Sequence, residues 1–192
     1  MNEFEESVET LINTAEYGNL LKLLDRSEYK KYLIKEDYLF YKSYCLCKLG
    51  KAKEALKGFI EILSINKSIK YKMLILNLLD DIFVRCENVF NDGIDFIKNL
   101  NKMFPIDGND IFIIKIYQYF YYLGFFTTEN IIEITDTFLH NNKVNYEIYE
   151  IRADIFQNTD DKISAIENLQ TAMLLNKNAK YVYLEKIKWL TE

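Results

Sequence analysis

Proline, glycine and histidine are all scarce in this sequence, which has 192 residues with one proline, six glycines and one histidine. Proline breaks the interior of a helix and glycine weakens it, so their scarcity favours an all-α fold. No low-complexity segment, linker or block of like charges divides the sequence. We therefore predict a single domain over residues 1–192, which is long enough to bury a substantial core.

Residue types that serve in catalytic and metal sites are also scarce. The single histidine, His140, lies at the end of a predicted helix, where its interaction with the helix dipole explains it. The sequence has no dinucleotide fingerprint, P-loop, zinc-protease or nucleophile-elbow motif. Cys45 and Cys47 would point in different directions on a helix, which does not suit zinc. We predict that the protein is not an enzyme, has no catalytic residues, and binds no cofactor and no metal.

The sequence also lacks a basic stripe, a signal peptide and an apolar segment long enough to span a membrane. Its net charge is −5 and its pI is about 5.1, which argues against nucleic-acid and membrane-surface binding. The longest apolar stretch, 111–126, is interrupted by Lys115 and Gln118, whereas a span needs about 20 apolar residues. The three cysteines are odd in number, which suits reduced thiols. We predict a cytoplasmic protein.

Two segments show the same pattern of helix, turn and helix. The first is 36–69, with a turn at Gly50, and the second is 146–179, with a turn at Asp160. In both, small and large residues recur three or four positions apart, which predicts an apolar stripe on each helix. The positions are Ser43, Leu46, Ala55, Phe59 and Ile62 in the first copy, and Tyr149, Ala153, Phe156, Ala165, Leu169 and Ala172 in the second.

This order of small, large and turn residues resembles the tetratricopeptide repeat, a helix–turn–helix unit of about 34 residues. Leu39 and Lys67 depart from the pattern, since the family often has Trp and Pro at these positions. The resemblance implies a right-handed α-solenoid of about five antiparallel hairpins plus a C-terminal capping helix. The units would span about 1–35, 36–69, 70–107, 108–145 and 146–179, with the cap at 180–192. Turns are also predicted at Tyr17–Asn19, Asn91–Gly93 and Gly124, because glycine and asparagine favour turns.

The resemblance also implies where a partner would bind, because the first helix of each repeat lines a concave face in this family. Carried over to this sequence, the lining residues are Phe40, Tyr44, Cys47, Ile114, Gln118, Tyr121, Glu147, Glu150 and Asp154. Such a face grades from aromatic to acidic, which suits a partner segment with apolar anchors followed by basic residues. The aromatic run at 116–123 has a second interpretation, as a central helix buried by its neighbours.

These observations predict an adaptor or scaffold that binds a peptide or a helical segment of a protein partner in a concave groove. An alternative is a regulatory protein that senses a peptide, although the sequence has no recognisable output domain. A helical enzyme or an RNA-binding repeat is less favoured, because of the missing catalytic motifs and the acidic charge. The sequence does not specify the oligomeric state.

Overall fold

A computed structural model of the protein describes residues 3–26, 33–83, 90–108, 110–142 and 144–192. These residues form eleven α-helices and a short 3₁₀ turn at Lys177–Ala179, and they contain no strand. The helices are α1 (Glu3–Asn13), α2 (Tyr17–Leu24), α3 (Lys35–Lys48), α4 (Ala52–Ile65), α5 (Ile69–Phe83), α6 (Phe90–Met103), α7 (Ile111–Tyr122), α8 (Thr128–Asn141), α9 (Tyr146–Asn158), α10 (Lys162–Leu175) and α11 (Lys180–Thr191). The predicted all-α fold of helix pairs with a C-terminal helix is confirmed.

The helices belong to two compact units, Met1–Met103 and Phe104–Glu192. The first unit contains α1 to α6, and the second contains α7 to α11. The single domain over residues 1–192 stays a prediction.

Four of the turns inside hairpins share one backbone arrangement. Each has a residue with positive φ: Ala15 (57°), Gly50 (73°), Gly124 (80°) and Asp160 (61°). In each turn the N–H of the next residue donates to the carbonyl oxygen five positions before it, at 2.8–3.0 Å. This is the bond that closes a Schellman turn at the end of a helix. The predicted turns at Gly50, Gly124 and Asp160 are therefore confirmed.

Two other local predictions are wrong. A break at Tyr17–Asn19 was expected from Gly18, but the turn lies at residues 14–16 and Gly18 is inside α2. A turn was also expected at Asn91–Gly93, but α6 begins at Phe90 and includes these residues. In both cases, helix formation overrides the weak local preference of a single glycine.

Small residues let the helices of the two sequence copies approach closely. In the first unit, Ser43 of α3 is buried opposite Gly58 of α4. A Cβ atom at Gly58 would lie 1.9 Å from the Oγ atom of Ser43, so the crossing has no room for a methyl group. Ala55 is fully buried in the same helix, as the pattern predicts. The prominent small residue at the crossing, Gly58, was not identified from the sequence.

In the second unit, α9 and α10 meet through buried alanines. Ala153 lies on α9, and Ala165 and Ala172 lie on α10, in one apolar cluster. Tyr183 and Leu190 of α11 are buried in that cluster. The last helix therefore covers the α9–α10 hairpin, as expected of a capping helix.

Exchanging glycine and alanine at the turns should have opposite effects at two positions. We expect Ala15→Gly to stabilise the chain by about 1 kcal/mol, because a left-handed backbone disfavours an L side chain. Gly124→Ala should destabilise it by about 1–2 kcal/mol for the same reason. Chemical denaturation measures both, and effects of the same sign would contradict the proposed role of these turns.

The α3–α4 crossing allows a test of close packing. An alanine in a helix interior is normally about 1 kcal/mol more stable than a glycine, but Gly58→Ala should destabilise the chain by about 1–3 kcal/mol because it overpacks the crossing. Gly18→Ala is the matched control, since nothing lies within 4 Å of a Cβ atom at that exposed helical position. We expect the control to be neutral or stabilising in thermal melts.

The origin of the Gly58→Ala effect can be checked with a second variant. In a Ser43→Gly background the obstructing hydroxymethyl group is absent, so Gly58→Ala should cost less there than in the parent chain. An equal cost in both backgrounds would show that Ser43 does not limit the distance between α3 and α4.

Candidate functional site

The first unit contains an apolar cavity between the first helices of successive hairpins. Its volume is about 260 Å³. Its lining comes from α1, α3 and α5, and consists of Ile12, Phe40, Tyr41, Tyr44, Leu74, Asn77 and Leu78. Apart from the tyrosine hydroxyls, Asn77 is the one polar side chain in this lining. The cavity therefore suits apolar groups.

The predicted anchors Phe40 and Tyr44 lie together at this cavity. They are four residues apart on α3, so both lie on one side of the helix, and their rings stack with centroids 6.4 Å apart. Tyr44 also meets the edge of the Tyr17 ring at 5.8 Å. Burial, together with a hydrogen bond involving Tyr17, raises the pKa of Tyr44 to about 12. Tyr44 is thus part of the packing between hairpins as well as part of the cavity wall.

Two other predicted lining residues are fully enclosed. Cys47 is 2% exposed, and its Sγ atom lies 3.8 Å from the carbonyl oxygen of Leu78. Ile114 is 0% exposed because α7 is apolar on most sides and is packed between other elements. Neither side chain is accessible to a partner, so we exclude both residues from the candidate binding surface.

Tyr121 is 8% exposed and has hydrogen-bonding partners inside the second unit. Its hydroxyl oxygen accepts a bond from Asn158 at 3.2 Å and lies 3.3 Å from the Thr128 hydroxyl. On the same helix, Gln118 is partly exposed and donates to the Tyr122 hydroxyl at 3.4 Å. The interpretation of the aromatic run as a buried helix therefore describes most of α7.

The three predicted acidic residues of α9 each contact a neighbouring helix. Glu147 forms an ion pair with Lys115 of α7 at 2.6 Å. Glu150 accepts a hydrogen bond of 2.6 Å from the Tyr183 hydroxyl, and Asp154 lies 3.8 Å from the Lys186 ammonium. These carboxylates therefore hold α7 and α11 against α9.

Electrostatics at Asp154 follow from this arrangement. Burial raises the pKa of the Asp154 carboxyl, the Lys186 ammonium lowers it, and the nearby Glu150 raises it further. The acidic character of this surface is thus lower than the sequence indicates, because two lysines lie within reach of the three carboxylates.

Sequence reasoning did not assign Ile12, Leu74 and Leu78 to the site. Leu74 and Leu78 are four residues apart on α5, which shows that they share one side of the helix. The spacing does not reveal which side faces α3, because α5 is apolar on several sides. Only the packing of three hairpins brings these residues beside Phe40 and Tyr44.

The described part of the chain contains no group of three or more His, Cys, Asp or Glu side chains able to hold a metal ion. Within the same residues, no helix combines the length and the apolarity that crossing a membrane requires.

Comparisons with known proteins identify the fold. No protein-family model and no curated protein sequence matches the chain. A thermophilic TPR protein from Thermus thermophilus is 13% identical, with 94% of this chain and 95% of that chain covered and a TM-score of 0.53. A tetratricopeptide repeat protein from Parabacteroides merdae is 15% identical, with 98% of this chain and 70% of that chain covered and a TM-score of 0.50. The chain therefore has a tetratricopeptide-like fold, as the resemblance implied.

The bond between Tyr183 and Glu150 provides a test of how α11 is held. Tyr183→Phe removes a hydroxyl that donates to a carboxylate, so we expect a loss of about 1.5–3 kcal/mol in the free energy of unfolding. Tyr181→Phe is the matched control, because Tyr181 is 83% exposed on the same helix. A loss of equal size in the control would contradict the assignment.

The difference in stability between the parent and Tyr183→Phe should depend on pH. Burial and the bond to Glu150 raise the pKa of Tyr183 to about 12, whereas tyrosine in an unfolded chain titrates near pH 10. The stabilisation is complete below pH 10 and is lost as the pH rises towards 12. The difference in stability between parent and Tyr183→Phe should therefore shrink over this range.

Proposed function

We propose that the protein is an adaptor that binds a peptide or helical segment of a protein partner, with the apolar cavity of the first unit as the anchor site. The observation that carries this proposal is the lining of the cavity, which combines the aromatic rings of α3 with Leu74 and Leu78 of α5. Large apolar side chains inserted into a preformed pocket supply most of the affinity in many interfaces.

The size of the cavity favours a side chain over a free small molecule. Small-molecule sites are usually about 300–1,000 Å³, and this cavity is about 260 Å³. It matches one or two apolar side chains presented by a helix or an extended peptide, as in helix-in-groove recognition. The tetratricopeptide-like fold supports the same class of function, because its successive hairpins present such surfaces.

A basic segment in the partner stays part of the proposal. The net charge of −5 favours it. The ion pairs of Glu147 and Asp154 reduce the expected contribution, because a basic residue must share each carboxylate with a lysine of this chain. We therefore expect charge to affect the association rate more than the affinity.

The other parts of the proposal rest on composition. The acidic pI of about 5.1 argues against nucleic acid as the partner. The absence of catalytic motifs argues for a binding protein without enzymatic activity. A cytoplasmic location stays a prediction from the sequence.

Selection of peptides provides a direct test. A phage library of random amphipathic peptides would be selected on the immobilised full chain, and the affinities of the enriched peptides measured by fluorescence anisotropy. Asn77→Lys introduces a charge at the mouth of the cavity, on an exposed residue. We expect it to weaken peptides with apolar anchors by about 30-fold, as for loss of a central contact.

Asn99→Lys is the control variant, since it makes the same change at an exposed residue of α6, away from this cavity. It should leave peptide binding unchanged. Enrichment of peptides that bind Asn77→Lys as well as the parent would show that the cavity is not the binding site. Enriched peptides without Lys or Arg would remove the basic segment from the proposal.

A further inference from the structure

The last helix, α11, has apolar side chains on all sides. Tyr183 and Leu190 are buried against the α9–α10 hairpin, and Ile187 packs against the same cluster. The remaining apolar residues are exposed: Tyr181 (83%), Val182 (56%), Leu184 (42%) and Trp189 (79%). A helix that is apolar all round is normally buried, and an exposed apolar patch marks an interaction surface.

We call the exposed side of α11 its outer face, which comprises Tyr181, Val182, Leu184, Trp189 and the charged residues Lys180, Glu185, Lys188 and Glu192. The charges alternate along the chain as plus, minus, plus, minus. Lys186 does not belong to this face because it pairs with Asp154 of α9. The outer face therefore has no net charge.

The order of these charges makes the outer face complementary to itself. Read in the opposite direction, the order becomes minus, plus, minus, plus. An antiparallel second copy consequently places Lys188 opposite Glu185. In the same register Glu192, which lies 3.8 Å from Lys188 of its own helix, comes within one residue of the position opposite Lys180. A parallel copy in register would place like charges opposite each other, which is unfavourable.

The apolar residues fit the same antiparallel arrangement. Val182 and Trp189 are seven residues apart, which is about two helical turns, so they lie on one side of α11. Centred between Glu185 and Lys188, the antiparallel arrangement places position 184 opposite Trp189. Val182 of one copy then lies within two residues, about 3 Å along the axis, of Trp189 of the other. The two-fold symmetry repeats this contact on the other side of the central ion pairs.

We propose that the outer face of α11 binds the same face of a second copy of this chain, antiparallel and about a two-fold axis. A helix of 12 residues is about 18 Å long, so the contact belongs to the small interfaces that give reversible dimers. This proposal is independent of peptide binding in the first unit, because it uses other residues.

Sedimentation equilibrium of the full chain, from low to high micromolar concentration, tests the proposal. We expect a reversible equilibrium between monomer and dimer. Trp189 is the one tryptophan of the sequence, so its fluorescence emission should shift to shorter wavelength over the same concentrations as it leaves water.

Charge reversal identifies the interface and its direction. Glu185→Lys and Lys188→Glu each place like charges opposite each other twice, and each should lower the association constant about tenfold. The double variant Glu185→Lys with Lys188→Glu restores both pairs and should recover the parental association constant. Glu167→Lys, an equivalent change at an exposed residue of α10, is the control and should have no effect.

Three outcomes would overturn the proposal. The first is a chain that stays monomeric at all concentrations. This includes the case in which α11 binds a different protein but not a second copy. The second is a dimer that all the variants retain, which places the interface elsewhere. The third is a double variant as weak as the single variants, which excludes antiparallel pairing of these charges.

Discussion

The distance between two packed helices is limited by the side chains at their crossing, and the rest of this structure depends on that limit. Ser43 and Gly58 permit close approach of α3 and α4, and buried alanines do the same for α9 and α10. At α7 and α8 the buried side chains include Phe120 and Phe138, and that pair packs less closely. Among the described helices, the two most closely packed hairpins are thus those whose sequences repeat the pattern of small and large residues most faithfully.

The packing of successive hairpins then determines which polar side chains remain available to a binding partner. The carboxylates of α9 are used inside the second unit, where Glu150 and Asp154 hold α11 and Glu147 holds α7. In the first unit, the equivalent helices leave an apolar cavity instead. The surface of α9, which appears acidic in the sequence, is partly neutralised in the structure by Lys115 and Lys186 of the adjacent helices.

Local features could be predicted from the sequence, whereas the orientation of apolar helices could not. Gly50 and Asp160 mark turns because their conformational preferences act within a few residues. Ala15 takes the same left-handed conformation without any such preference, so the first turn was placed wrongly. The resemblance placed Cys47 and Ile114 on an open face, but both side chains are buried. Helical spacing gives the period of a helix, whereas its orientation depends on neighbours distant in sequence. Phe40 and Tyr44 do line the cavity, and their contact with a partner stays a prediction.

Close packing in one hairpin of each unit has a consequence for hydrogen exchange. In repeat folds each hairpin is stabilised mainly by its nearest neighbours, so segments can open without unfolding of the whole chain. Amides of α3–α4 and α9–α10 lie in the most closely packed pairs of the described residues. We expect their exchange to require opening of a larger part of the unit. We expect amides of α1, α2, α7 and α8, whose pairs pack less closely, to exchange through smaller openings. Each unit should thus have its own slowly exchanging hairpin, while its less closely packed helices should open at a lower free energy.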